Sequence, residues 1–452
     1  MRFRKIFLIF LTSFAFLLSL DSRFSQQKEN KKYPSPHYIH PLPSLNNGRP
    51  FNLDAESYSQ ERVLVKFSPR LNPSYIASIL ASYSAKKIRK LSPLDIYVIK
   101  IPDHSSVEEM LWLLKKNPDV EYVEPDYSVT IATIPNDPLF SFQYALYNSG
   151  DLNGLPGNPP VKLRADIKAP EAWEETTGNE GVIIAVIDTG IDFLHPDLKS
   201  KIQQGGRDFV NDDFDPTDDH GHGTFVAGII AADTNNGEGI AGVCWKCKLL
   251  PIKAIGEEGY GYYSWLIQSI LWAAEKGAQV INLSVSAYGN SEGLREALQF
   301  AHEKDIVIAA AAGNHGIKQV SYPATFNEYC LAVAATDFTD SRTNWSNYGP
   351  EIDVAAPGAK LLSSVPTWKE PSEYLPYAFG WGTSYATAHV SGLAALIKSI
   401  KPWLKASEVM SIIRYSSDDI NSDKYPGKDE YIGYGRINME KALVPRKIIN
   451  SP

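Results

Sequence analysis

Cysteine is scarce in this chain of 452 residues, which contains only three. That excludes a disulfide-dense scaffold. Two of them stand as Cys244-Trp-Lys-Cys247, with no second pair to complete a zinc site and no thioredoxin-like pattern around them. The segment therefore reads as a local disulfide or as two packed thiols. Cys330, inside an apolar run, reads as a buried thiol. Positive charge is also short: 44 Lys and Arg against 52 Asp and Glu leave a net charge of −8. With no Lys/Arg cluster interleaved with aromatics, a nucleic-acid partner is excluded. The apolar run from Ile6 to Leu20, 15 residues, is short for a membrane span. Internal repeats are absent.

What is present suffices for one large core and a smaller one, since 44% of residues are hydrophobic and 21% charged. Arg2, Arg4 and Lys5 ahead of the Ile6–Leu20 run have the layout of a secretory signal peptide over residues 1–22. This predicts a secreted or extracytoplasmic protein. No small-x-small cleavage site follows, so retention as an uncleaved membrane anchor is the alternative. Residues 23–58, rich in Pro, Ser, Asn and Gln, read as a flexible linker. Over 59–130 the order is strand (ERVLVKF), helix (PSYIASILASYS), two strands (KKIRKL, DIYVIKI), helix (SVEEMLWLLKK) and strand (VEYVEPDY). That is βαββαβ, an α+β ferredoxin-like unit.

From residue 180 the pattern changes. Apolar runs without period-two alternation (VIIAVID, KLLPIKAI, AQVINLSV, IVIAAAAGN, CLAVAAT, EIDVAAPG) alternate with helical stretches such as YSWLIQSILWAAEKG. They predict an α/β fold, a parallel sheet with helices on both faces, whose functional residues gather at the carboxyl ends of the strands. Three places there suit acyl-transfer chemistry. The run GTSYATAHVSG puts Ser384 where a Gly-rich turn enters an apolar helix, whose free N–H groups favour a developing negative charge. A serine needs a base, and DDHGHGTFVAGIIAA offers His222 at the start of another apolar helix. An acid that can orient the imidazole is Asp188, at the end of strand GVIIAVID.

The blocks IDTGID, HGTFVAG and GTSYATAHV, in the order Asp, His, Ser, resemble the subtilisin-like serine proteases over residues 134–443. The resemblance implies a serine endopeptidase acting through Asp188, His222 and Ser384 and an acyl-enzyme. It selects His222, directly before Gly-Thr, over the neighbouring His220, and makes Asn314, which ends the block AAAAGN, the oxyanion donor. It also assigns substrate binding to Ser284, Val285, Ser286 and Ala287, to Gly313, and to Tyr263 at an outer pocket. This chain departs from the family at Ser286 and Ala287, where Gly-Gly is common, and at Ala388, where proline is usual. The primary pocket reads as apolar and permissive.

By the same resemblance the βαββαβ unit is an inhibitory propeptide, the protein's own partner, removed by self-processing between about Ser128 and Asn136. Residues 444–452 form a tail, and the protein is a monomer acting on proteins or peptides. Structural calcium is implied at Asp137, Asp197 and Asn236, with carbonyls of Asp233, Glu238 and Ile240; the alternative there is a plain turn at Asn235 and Gly237. Asp208, Asp213 and Asp215 make a second candidate calcium loop, unless they are solvated loop acids. Two other functions stay open: a catalytically silent binding protein on the same fold, and a processing protease dedicated to one partner.

Overall fold

Alternating apolar residues build the smaller of two units, Asn46–Ala132. In β1 (Tyr58–Phe67), Val63, Val65 and Phe67 face inward, and in β3 (Ile96–Lys100) Tyr97 and Ile99 do so. Two helices cover that face. The first, α1 (Pro73–Ser82), buries Ile76, Ile79 and Leu80, and α2 (Val107–Lys115) buries Val107, Met110 and Leu114, each at helical spacing. Both helices are capped by the residue before them, with Asn72 Oδ1 accepting from Tyr75 N (2.9 Å) and Ser106 Oγ from Glu109 N (3.1 Å). Together with β2 (Lys86–Leu91) and β4 (Val120–Tyr127) they give an antiparallel sheet of order β2-β3-β1-β4, the ferredoxin-like arrangement. Edge strand β2 carries Lys86, Lys87, Arg89 and Lys90, which discourage pairing with another edge.

This computed structural model describes residues 58–102, 105–127, 133–150, 161–369 and 376–444. The signal segment, nearly all of the linker, the centre of the expected processing junction and the tail beyond Val444 lie outside the described residues.

The described part of the larger unit begins at Thr133 and contains a seven-stranded sheet whose paired strands all run parallel. Its order is β11-β10-β9-β8-β5-β7-β6. The strands are β5 (Ile183–Asp188), β6 (Arg207–Asp208), β7 (Lys248–Lys253), β8 (Val280–Leu283), β9 (Val307–Ala311), β10 (Leu331–Thr336) and β11 (Val354–Pro357). Burial on both faces explains the lack of polar alternation. In β5, Ile184 and Val186 enter one core while Ala185 and Ile187 enter the other.

The first core is covered by α4 (His222–Ala231), α7 (Thr383–Ile400) and α8 (Ala406–Ser416), and the second by α5 (Tyr263–Glu275) and α6 (Glu292–Glu303). Two short helices, α3 (Ala169–Trp173) and α9 (Met439–Leu443), close the first core near the termini of this unit. An antiparallel pair, β12 (Leu361–Ser364) with β13 (Tyr377–Gly380), leads into α7. The chain leaves β5 toward β7 on one side and returns to β8 on the other. That reversal is a topological switch point, where such sheets open a crevice at their carboxyl ends.

Candidate active site

Asp188 ends β5 and is fully buried. The chain then turns at Gly190 (φ +106°), where a Cβ would lie 2.5 Å from the Pro216 carbonyl oxygen. His222 opens α4, and Gly223 behind it lets the helix approach this turn, since a Cβ there would meet the Gly190 carbonyl oxygen at 2.1 Å. The outcome is a 2.7 Å contact between His222 Nδ1 and Asp188 Oδ1. A carboxylate only accepts, so Nδ1 carries the proton and Nε2 keeps its lone pair. Asp188 Oδ1 also accepts from Thr189 N (2.8 Å).

Burial pulls the His222 pKa down, but the charge and hydrogen bond of Asp188, with a contribution from Asp218, raise it above the ordinary imidazole value. Asp218 is an acid that motif reasoning passed over. Its Oδ1 accepts from Thr189 Oγ1 (2.8 Å), His220 N (3.0 Å) and Gly221 N (2.7 Å), and its Oδ2 from Thr224 N (2.9 Å) and Thr224 Oγ1 (2.6 Å). The loop on both sides of His222 is thereby tied to the turn after Asp188. Lys253 Nζ supports that turn from below by donating to the Thr189 carbonyl (2.9 Å). His220 lies on the loop against Gly259 and outside the Asp188 contact.

Ser384 occupies the first turn of α7 and is nearly buried. Its hydroxyl donates to the Ser284 carbonyl (3.1 Å). The ring of Tyr385, the next residue, stacks on His222 with centroids 5.7 Å apart, so the two helix starts adjoin. A buried chain of hydrogen bonds fastens α7 to β8: Ser391 Oγ donates to Asn282 Oδ1 (2.9 Å), Asn282 Nδ2 to Ser284 Oγ (2.9 Å), and Ser284 Oγ to the Ser384 carbonyl (2.8 Å). Asn282 is the one polar residue of an apolar strand, and that was the available signal for this network. The last of these bonds bears on Ala388, because a proline there would remove an N–H whose helical acceptor, the Ser384 carbonyl, keeps Ser284 as a donor.

Asn314 follows β9, and its amide oxygen accepts from Thr383 N and Thr383 Oγ1, each at 2.8 Å. The amide nitrogen is then turned toward Gly382. A Cβ on Gly382 would lie 3.6 Å from Asn314 Nδ2 and 3.7 Å from Ser384 N, so both donors border one small space beside the serine. Two donors facing one point suit an oxyanion. Gly313 lies beneath, at φ +104°. Ser284 to Ala287 extend β8 along this edge, with Ser286 exposed and Ala287 paired to Tyr322 (2.9 and 2.8 Å). Val285 is half-buried, and Tyr263 donates to the Gly289 carbonyl (2.5 Å).

Of the two acidic regions, the first brings its residues together. Asp137 and Asp197 are buried, and burial first, then mutual repulsion, pushes the Asp137 pKa up to about 6. Burial also raises that of Asp197. Asp197 accepts from Asn236 Nδ2 (3.1 Å), Ile240 N (2.9 Å) and Tyr377 Oη (2.8 Å), and Asp137 from Asn235 N (2.8 Å). Asp233 turns its side chain to Ser200 (2.7 Å), which leaves its carbonyl as the donor atom. Two buried carboxylates among amide and carbonyl oxygens fit a hard dication. Ligation by Asn236 would require its amide to turn over, since Oδ1 accepts from Glu238 N (2.8 Å).

The second acidic loop does not converge. Asp208 is buried and holds Val210 N (2.6 Å) and Asn211 N (3.0 Å), while Asp213 and Asp215, both exposed, cap N–H groups within their own loop. Among the described residues no three His, Cys, Asp or Glu side chains group tightly enough to hold a metal ion. As placed here, the side chains of these three acids cap turns. Of the two readings for the cysteine pair, the structure has the disulfide, Cys244–Cys247, beside the Trp173–Trp245 pair (centroids 4.7 Å); Cys330 is buried and free.

Fold and site together define an α/β serine peptidase. Residues 179–435 match the Subtilase family, and residues 46–126 match the fervidolysin N-terminal prodomain. The chain is 37% identical over 392 residues to a thermophilic serine proteinase of a Bacillus species, covering 86% of this chain and 88% of that one. It is 39% identical to thermitase of Thermoactinomyces vulgaris, over 68% of this chain and 99% of the relative. A solved protease structure from Pseudoalteromonas arctica superposes with a TM-score of 0.58 at 30% identity, covering 68% of this chain and 98% of that one. The chain belongs to the subtilase family of serine proteases and carries an N-terminal prodomain.

Proposed function

We infer that this protein is a secreted, self-processing endopeptidase that uses Asp188, His222, Ser384 and Asn314. Ser384 Oγ attacks the scissile carbonyl as its proton passes to His222 Nε2, and Asp188 holds the imidazolium that forms. The tetrahedral oxyanion lies between Asn314 Nδ2 and Ser384 N. His222 then delivers the proton to the leaving amine, and water repeats the sequence on the acyl-enzyme. The observation that carries this reading is the 2.7 Å His222–Asp188 contact beside the first turn of the Ser384 helix, at the carboxyl end of the sheet.

Substrate lies extended along Ser284–Ala287 as an added strand, with Tyr263 and Gly313 at its borders. The prodomain, over about 59–130, inhibits the peptidase of 134–443 until it is cut away. Export follows from the basic and apolar N-terminal segment; among the described residues no helix is long and apolar enough to cross a membrane. Calcium, held by Asp137, Asp197, Asn236 and the carbonyls of Asp233, Glu238 and Ile240, supplies charge neutralisation and rigidity and takes no part in the chemistry. The mature protein acts as a monomer. Labelling with a fluorophosphonate tests the site: the adduct falls on Ser384 and is lost in Ser384→Ala, whereas an unlabelled wild-type protein would mark a catalytically silent fold.

The exposed Ser286 and the Ala287–Tyr322 pairing favour a second reading, a cleft narrowed for one dedicated partner. Cleavage of a peptide library at many unrelated sequences would exclude it.

A further inference from the structure

Lys253 ends β7 and stands opposite Asp188 in the parallel register with β5. Only 1% of its side chain is exposed. Its Nζ meets three acceptors, the number an ammonium can serve: the Thr189 carbonyl (2.9 Å), the Ile255 carbonyl (3.1 Å) and Asp219 Oδ1 (2.5 Å). Two of the three lie on the segments that carry Asp188 and His222. Thr189 N donates to Asp188 Oδ1 (2.8 Å), the same oxygen that receives His222 Nδ1, and Thr189 Oγ1 accepts from Gly223 N (2.9 Å) behind the histidine. Holding the Thr189 carbonyl therefore fixes the peptide that aims both groups. Asp219 stands three residues before His222 and is exposed, so one buried ammonium grips the turn of the acid and the loop of the base.

We propose that Lys253 is a positioning residue for the Asp188–His222 hydrogen bond, with Asp219 as the partner that draws the His222 loop against the turn after β5. The inference rests on the reading that His222 takes the proton of Ser384. Burial removes water as a competitor, so the ammonium cannot release one acceptor without leaving a donor unmet. The turn and the loop are thereby held at one separation. A misplacement of about 1 Å is enough to slow proton transfer. The substrate segment Ser284–Ala287 extends β8, which lies on the opposite side of β5 from β7. Loosening the clamp should therefore lower turnover and leave substrate binding as it is.

The test measures kcat per fluorophosphonate-titrated Ser384 in the matured full-length protein and in its variants. The expected kcat falls about ten- to a hundred-fold in Lys253→Met and about three- to ten-fold in Asp219→Asn, with KM within about two-fold of wild type. Asp219→Glu, which keeps the carboxylate, recovers most of the loss. The double variant Lys253→Met/Asp219→Asn is no slower than Lys253→Met, because both changes break one link. The His222 Nδ1 proton, held in a short bond to a carboxylate, resonates far downfield in the NMR spectrum and moves upfield in both single variants. A loss of global stability alone would leave that resonance in place. Unchanged kcat and resonance, or losses that multiply in the double variant, overturn the inference while leaving Ser384 chemistry intact. If Lys253→Met does not fold, the exposed Asp219 variants decide by the same two readouts. A wild type without turnover overturns the reading of the site as well.

Discussion

The Asn314 side-chain oxygen is held by Thr383 N and Oγ1, apart from the hydrogen bond that joins His222 to Asp188, so its contribution is separable from proton transfer. Asn314→Ala should lower kcat by about a hundred- to a thousand-fold with little change in KM; an equal loss in Ser384→Ala and the double variant would confirm that it acts only in the same step. His222 sets the pH profile. It must be neutral to accept a proton, and its pKa is raised above the ordinary value of about 6.5. Activity should therefore fall as pH drops through a midpoint above that value, and Asp218→Asn should move the midpoint down by removing one of the two nearby anions. The pair's stability contribution runs the other way: it is fully present below the unfolded imidazole's pKa and is lost as pH rises through the folded one. An acid limb unmoved in Asp218→Asn would make that residue a loop brace only.

At the scale of elements, the site depends on how closely α4 approaches the turn after β5. Gly223 permits that approach, because a Cβ would be 2.1 Å from the Gly190 carbonyl oxygen and 3.2 Å from Asp188 Cβ. Gly223→Ala should displace His222 and cost at least a hundred-fold in kcat, whereas an unchanged kcat would show that the helix can shift without losing the contact. The strands of the parallel sheet were legible because burial on both faces removes polar alternation, and the serine, histidine and acid because each stands in a Gly-marked turn. Less legible were β6, with two residues, and the β12–β13 pair, each with four, too short to show a period. Asn282 escaped motif reading because its bond to Ser391 reaches far along the chain, and Asp218 because its bonds to Thr189, His220, Gly221 and Thr224 depend on the folded shape of the loop rather than on a motif. The carboxylates of the second acidic loop cap nearby N–H groups, and composition alone cannot separate that from ligation.

For the whole molecule, the buried Asp137 and Asp197 carboxylates lack a neutralising side-chain partner among their hydrogen-bond contacts. If calcium fills that role, excess chelator should lower Tm, and calcium but not magnesium should restore it; in Asp197→Asn the chelator should have little further effect. An unchanged melting curve would leave the loop as a turn stabilised by Asn235 and Gly237. Two units in one chain, a prodomain and a peptidase, make maturation the property that links every part of the account. The direct measurement is intact mass with N-terminal sequencing of the purified protein beside its Ser384→Ala variant. The wild type is expected to lose roughly its first 130 residues, by the junction between Ser128 and Asn136, while the variant keeps them. Cleavage of both proteins, or of neither, would contradict self-processing by Ser384.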